Sequence, residues 1–191
     1  MQTSVIPHIF PSELATSKSS GKIIWLYGLS GAGKSTIAQE AQLILKSYKK
    51  SCFILDGDDL RTGLNSDLDF TEQGREENLR RAAEVAILLS RTCDVVICTF
   101  ITPKLSYREL VEDIFENHNT QLACINTPLS ECEKRDTKGL YKKARNGEVQ
   151  YFTGISSPYD FPTDEAININ TMNHTAYESA INLLKQCNLI L

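Results

Sequence analysis

Short apolar runs alternate along this chain with longer segments of helical periodicity. Ile23 to Tyr27 is apolar, Ser35 to Lys49 periodic, Cys52 to Leu55 apolar, Thr71 to Arg91 periodic and Val95 to Phe100 apolar. The order predicts βαβαβ. In the first periodic stretch Ile37, Ala38, Ala41, Ile44, Leu45 and Tyr48 recur at helical spacing, with Gln39, Gln42, Lys46 and Lys49 between them. One face is expected to pack on a sheet and the other to meet water. A helix from Pro103 to Glu116, a strand from Gln121 to Ile125, a helix after Pro128, a strand around Ala166 to Asn170 and a final helix to Cys187 continue the alternation. Strands that are apolar throughout belong to an α/β fold, a parallel β-sheet flanked by helices on both faces, which binds ligands beyond the carboxyl ends of its strands. The segment Arg135 to Pro162 departs from this pattern. It carries Gly139, Gly147, Gly154, Pro158 and Pro162 with weak periodicity, and its length predicts a mobile lid rather than a plain connection.

The 191 residues, 41% hydrophobic and 23% charged, suit one globular domain. It is expected to span residues 22–191, after an N-terminal arm, residues 1–21, that contains Pro7 and Pro11 and lacks the basic start and long apolar core of a secretory signal. A net charge of -4 leaves no global positive field for nucleic acid or an anionic membrane, so any basic site is local. No apolar run approaches the roughly 20 residues of a membrane-spanning helix. Cys52, Cys93, Cys98, Cys124, Cys132 and Cys187 form no CxxC pair. Buried thiols in a reducing compartment are expected, and with them a soluble, cytoplasmic protein.

Candidate chemistry begins at Gly28-Leu29-Ser30-Gly31-Ala32-Gly33-Lys34-Ser35-Thr36. This run matches GxxxxGK[ST] and lies between an apolar strand and an amphipathic helix, the setting that gives the phosphate-loop (P-loop) motif its meaning. Successive backbone N–H groups and the helix N-terminus favour phosphate, Lys34 spans the β- and γ-phosphates and Ser35 ligates magnesium. ATP with Mg2+ is the expected donor. The next strand ends in Asp56-Gly57-Asp58-Asp59, with Gly57 read as permitting a sharp turn. Asp58 is read as the base for an attacking hydroxyl and Asp56 as support for the magnesium shell; the alternative is an acidic turn or helix N-cap.

On the helix from Thr71, Glu76 with Arg80 and Glu77 with Arg81 stand at i,i+4 spacing, so surface pairing accounts for those arginines. Arg75 is left over, with Asn78 on the same face. A cation near a helix N-terminus gains nothing from the dipole, so a bound anion explains Arg75 better than solvent does. Lys138, Lys142, Lys143 and Arg145 concentrate positive charge in the expected lid, where contact with nucleotide or substrate competes with a solvated basic face. Phe70 and Phe152 flank the proposed site and suit either base stacking or the core.

Together GLSGAGKST, LDGDDLRTGLNSDLDF, REENLRRAAEVA, TFITP, KRDTKGLYKKARNGEVQYFTGI and PYDFP resemble the adenylylsulfate kinase family over roughly residues 20–165. The resemblance implies a P-loop kinase fold, and ATP-dependent phosphorylation of the 3'-hydroxyl of adenosine 5'-phosphosulfate. It implies Asp58 as general base beside Lys34, with Arg61, Arg75 and Asn78 on the phosphosulfate and Phe70 and Phe152 clamping the adenine. Lys138 and the backbone of Ile101 are implied near the substrate, Arg135 at the ATP end of the lid, and a homodimer as the assembly. Thr102 stands where the family has a serine that some members phosphorylate; it is grouped with the catalytic positions without a required role. Asp59, Asp69 and Ser156-Ser157 also depart from the usual pattern. Asp69 matters most, because a carboxylate beside a phosphosulfate opposes it unless it turns outward.

A regulatory GTPase would need an NKxD element, which the chain lacks. An ATP-binding switch would need neither a base nor a second cationic pocket. A kinase for a different nucleotide conjugate is the nearest rival. An ATP sulfurylase, if one associates, is expected as a separate chain.

Overall fold

The computed structural model describes residues 20–162 and 167–191; nearly all of the proposed arm and the residue at the start of the last expected strand, Ala166, lie outside these. The five strands are β1 (Lys22–Tyr27), β2 (Cys52–Asp56), β3 (Val95–Thr99), β4 (Thr120–Asn126) and β5 (Ile167–Asn170). All are parallel, in the order β2-β3-β1-β4-β5. The chain steps from β1 to one side of the sheet and later crosses to the other, so the carboxyl edge of β1 is the switch point where such sheets open a crevice.

Alternation within each strand builds two cores. Ile24 and Leu26 of β1, with Val95, Ile97, Ala123, Ile125 and Ile169, face α1 (Lys34–Ser47) and a late helix, Ala176–Gln186. Ile23, Trp25 and Tyr27, with Val96, Cys98 and Cys124, face the opposite layer, formed by helices Glu72–Ser90 and Leu105–Ile114. Both sets are buried, as the continuous apolar runs require. No helix among the described residues is long and apolar enough to cross a membrane.

In chain order the helices after α1 are α2 (Gly57–Thr62), α3 (Glu72–Ser90), α4 (Leu105–Ile114), α5 (Leu129–Arg135), α6 (Leu140–Arg145) and α7 (Ala176–Gln186). Two of these, α2 and α6, are too short for periodicity to reveal. The expected lid therefore carries structure of its own, and Tyr141, Ala144 and Phe152 tie it into the α1-side core. Tyr48 is not on the buried face of α1: the helix stops at Ser47, and Tyr48 caps it, 53% exposed. On α3, Glu77 takes both Arg80 and Arg81, and Arg81 also meets Asp67, so Glu76 does not pair with Arg80. Cys98, Cys124, Cys132 and Cys187 are buried as expected, whereas Cys52 and Cys93 are only half-buried because they sit at strand margins.

Candidate active site

At the switch point a cavity of about 550 Å³ opens over the phosphate loop. Gly28 leaves β1 with φ 148, and a Cβ there would lie 2.6 Å from the Ile125 carbonyl oxygen, so no other residue fits. Gly33 caps α1 at φ 103, and the first-turn amides of α1 are thereby turned toward the cavity. The Lys34 ammonium donates to the carbonyls of Gly28 and Leu29 at 2.9 and 2.8 Å. Burial pulls it down to about 8, against the opposing pull of Asp56 and Asp58.

Asp56 is the N-cap of α2, where its Oδ1 accepts from the Asp58 amide at 2.9 Å. Its Oδ2 accepts from the Ser35 hydroxyl at 2.7 Å and the Thr99 hydroxyl at 2.6 Å. Burial alone would raise this carboxyl, but those three hydrogen bonds outweigh it and hold Asp56 below the usual carboxylate range. The cap reading and the magnesium reading of the acidic turn are thus compatible, since Ser35 Oγ and Asp56 Oδ2 form a compact pair of hard oxygen donors of the kind Mg2+ accepts. Gly57 serves a different end from the one expected: a Cβ there would come within 2.8 Å of the Phe100 ring, so close packing and not a turn excludes a side chain.

Asp58 sits one residue further along α2 and receives an ion pair from Lys138 of the lid. That hydrogen bond holds Lys138 above the usual lysine range. Both side chains are largely exposed, so the pair is screened and readily exchanged for another partner.

Across the cavity Arg61 and Arg75 converge on one aromatic ring, their guanidinium carbons 4.3 and 5.5 Å from the centroid of Phe70. Arg61 donates to the carbonyls of Leu68 and Asp69, and Arg75 to those of Phe70 and Tyr151. Among the described residues neither arginine forms an ion pair, and burial lowers both from the usual arginine range, with Arg75 adding to the effect on Arg61. Two unneutralised guanidinium groups over a 56%-exposed ring make a site for an anion attached to a flat group. Asn78 completes this wall, its Oδ1 accepting from Asn65 Nδ2 at 3.0 Å. The Asp69 carboxylate turns away to accept from the amide and hydroxyl of Thr71 at the start of α3. Gly74 leaves it room, because a Cβ there would meet Asp69 Oδ1 at 2.3 Å.

Ile101, Thr102 and Arg135 also line the cavity. Gly28 and Leu29 contribute carbonyls rather than wall. Phe152 stands one ring back from the wall, 9% exposed and packed edge-on against Tyr141 at 4.9 Å; the cavity is lined there by Tyr141, whose hydroxyl donates to the Ser30 carbonyl at 2.8 Å. Phe152 is therefore packed behind the wall, whereas Phe70 is open to the cavity. Sequence reasoning missed Thr171, His174, Ala176 and Ser179, which close the cavity beyond Arg135. The Ser179 hydroxyl is buried there with no hydrogen-bond partner among the described residues. The only sequence signal for these residues is their place after β5, at the carboxyl edge.

The family model for adenylylsulphate kinase matches residues 20–170. The chain belongs to the adenylylsulphate kinase family. An adenylyl-sulfate kinase of Bacteroides fragilis is 45% identical over 168 residues, covering 88% of this chain and 83% of that protein. One from Pseudomonas aeruginosa is 46% identical over 159 residues, covering 83% and 81%. Among solved structures, the Mycobacterium tuberculosis APS kinase CysC in complex with AMPPNP and APS superposes with a TM-score of 0.85 at 38% identity, covering 89% of this chain and 99% of that one. The matched stretch runs through the phosphate loop, the acidic turn, the α3 wall and the segment that carries Arg135 and Lys138, and ends just before Thr171, His174, Ala176 and Ser179.

Two expectations follow from this geometry. Phosphate favours the charged form of Lys34, so at pH 8 nucleotide binding should take up about half a proton, and the uptake should vanish toward neutral pH where the lysine is already charged. Titration calorimetry in buffers of different ionisation enthalpy measures this, with Lys34→Arg as the non-titrating control. The same shift means that the folded chain releases this proton near pH 8 and the unfolded one near 10.5, so this group adds stability as pH rises between those values. Zero uptake at pH 8 would show that Lys34 is already charged there before nucleotide binds. Separately, Arg75→Ala should weaken the acceptor roughly ten- to a hundredfold, the loss of one charge-assisted contact, and leave ATP unchanged. A shift confined to ATP would reverse the two halves of the cavity.

Proposed function

We infer that the protein transfers the γ-phosphoryl group of ATP to the 3'-hydroxyl of adenosine 5'-phosphosulfate, giving 3'-phosphoadenosine 5'-phosphosulfate and ADP. The observation that carries this reading is the pairing, across one cavity, of a phosphate loop with a second cationic pocket, and of Asp58 near both. ATP lies with its phosphates along Gly31 to Thr36 and its base toward Arg135, Thr171 and Ser179. Ser35 and Asp56 would hold Mg2+, which would supply positive charge against the phosphates of ATP. Arg61 and Arg75 take the phosphosulfate, Phe70 stacks on the adenine, Asn78 and the backbone of Ile101 complete the wall, and Phe152 supports Tyr141 from behind.

With those ends fixed, the ribose of the acceptor lies beside Asp58. Its hydroxyl passes a proton to the carboxylate as Lys138 exchanges Asp58 for substrate oxygens, while Lys34 follows the charge on the moving phosphoryl group. The rival acceptor class loses its main support, because the Asp69 carboxylate is engaged at the cap of α3 and not in the cavity. Thr102 has no part in proton transfer in this reading, because Asp58 serves as the base and Thr102 is 1% exposed, its hydroxyl held by Trp25 Nε1 at 2.9 Å. The chain pairs as a homodimer, as the family resemblance implies, and sedimentation tests this.

The deciding experiment is phosphorus NMR of the product with adenosine phosphosulfate, run beside ADP formation with AMP, CMP and other nucleotide conjugates. A new phosphate on the 3'-hydroxyl is expected. A 2'-phosphate, or turnover confined to another conjugate, would overturn the acceptor assignment.

A further inference from the structure

Arg108 on α4 is only 4% exposed, yet among the described residues it forms no ion pair. Its guanidinium instead serves backbone carbonyls from two segments. Nε donates to Thr102 at 3.3 Å and Nη2 to Pro103 at 3.2 Å, both in the loop after β3. Nη1 donates to Phe161 at 3.3 Å, and Nη2 also to Asp160, both at the far end of the lid segment. The cation lies over the rings of Tyr27 and Tyr159, 4.4 and 5.5 Å from their centroids. Carbonyl dipoles and ring faces together replace the water such a charge gives up.

The two segments are also joined directly. The Asp160 amide donates to the Pro103 carbonyl at 2.8 Å, and the Asp160 carboxylate accepts from the Leu105 amide at 2.7 Å. The loop so held is a strained one: Thr102 is β-branched, 1% exposed and at φ 42, a backbone region such residues rarely enter unless the surroundings impose it. Its hydroxyl is fixed by Trp25 Nε1 and its carbonyl by Arg108. The same loop reaches the phosphate loop, since the Gly28 amide donates to the Ile101 carbonyl at 3.2 Å.

We propose that Arg108 is a positioning residue for the acceptor: its fork of donors locks the Ile101–Pro103 wall of the cavity in its strained form and fastens the end of the lid segment, at Asp160 and Phe161, to that wall. This rests on the reading that Ile101 lies against the acceptor. Lysine keeps the charge but presents a point donor where the planar fork met four carbonyls, so it cannot hold both segments at once.

The experiment compares the full chain with Arg108→Lys by hydrogen exchange and steady-state kinetics. Exchange at the Leu105 and Asp160 amides should accelerate together, with the amides of α1 and α7 unchanged. The KM for adenosine phosphosulfate should rise about ten- to a hundredfold, the scale of a displaced binding wall, and the KM for ATP should stay within about twofold. Acceleration at one amide alone would overturn the linkage. Equal changes in both KM values, or a lowered unfolding temperature with both unchanged, would reduce Arg108 to a structural residue and overturn the positioning role. If Arg108→Lys fails to fold, the parent decides: adding adenosine phosphosulfate should slow exchange at both amides, and protection confined to Leu105 would overturn the linkage. A parent chain that neither binds nor turns over adenosine phosphosulfate would count against the acceptor assignment, and the exchange comparison without substrate would still judge the linkage on its own.

Discussion

Replacing Lys34 with alanine should abolish phosphoryl transfer and leave the fold intact. The side chain belongs to neither core; its ammonium lies in the phosphate loop against the carbonyls of Gly28 and Leu29. Burial that pulls it down to about 8 shows that the folded chain holds this charge against a desolvation penalty, so removing it does not forfeit stability on that account. What is lost is a preorganised positive charge aimed where negative charge develops, and one such donor accounts for about a hundred- to a thousandfold in kcat. Circular dichroism, thermal unfolding and ADP release check both halves of the expectation. Turnover within a few-fold of the parent would remove the phosphate loop from the mechanism.

Asp58→Asn carries the second large effect. Asparagine keeps the size and one acceptor oxygen of the side chain, and the Asp58 amide still caps onto Asp56, so α2 is preserved. The amide cannot accept a proton. Turnover should fall about a hundredfold or more, the weight of a positioned base, while ATP affinity stays within a few-fold because Lys34, Ser35 and Asp56 are untouched. A phosphoryl-transfer transition state in which bond breaking runs ahead of attack needs less help from a base. A loss under about tenfold would therefore retire Asp58 as the base without touching the donor half of the site.

The strands and the long helices were legible because burial on two faces and on one face leave different repeats in a sequence, and α1, α3, α4 and α7 are long enough to display theirs. The donor half was legible for a related reason: its chemistry is carried by residues contiguous in the chain, Gly28 to Thr36 and Asp56 to Asp58. The acceptor wall was legible partly from unpaired charge, as at Arg75, and otherwise from family likeness. Residues brought in by tertiary contact alone left no such trace. Thr171 and Ser179 reach the cavity only because β5 ends there, and Arg108 stands out only once the lid end is seen folded over it. Phe152 shows the converse, since proximity in sequence to Tyr151, whose carbonyl meets Arg75, did not bring its own ring to the surface.

The strand order has a consequence for how the chain reaches this state. β1 is made early but lies at the centre of the sheet, with Ile23 beside Val96 on one side and Thr120 on the other. α1, which follows directly, packs against α7 near the other end of the sequence. α1 meets β2 early, but the strand partners of β1 and the α7 face of α1 wait for segments made much later, a topology of high contact order. During synthesis the part of α1 that α7 covers stays open until the chain beyond Ala176 has left the ribosome, so apolar surface is exposed to aggregation over that interval. Stalled chains ending at residue 170 should be cleaved by a probing protease across α1, and full-length released chains should not.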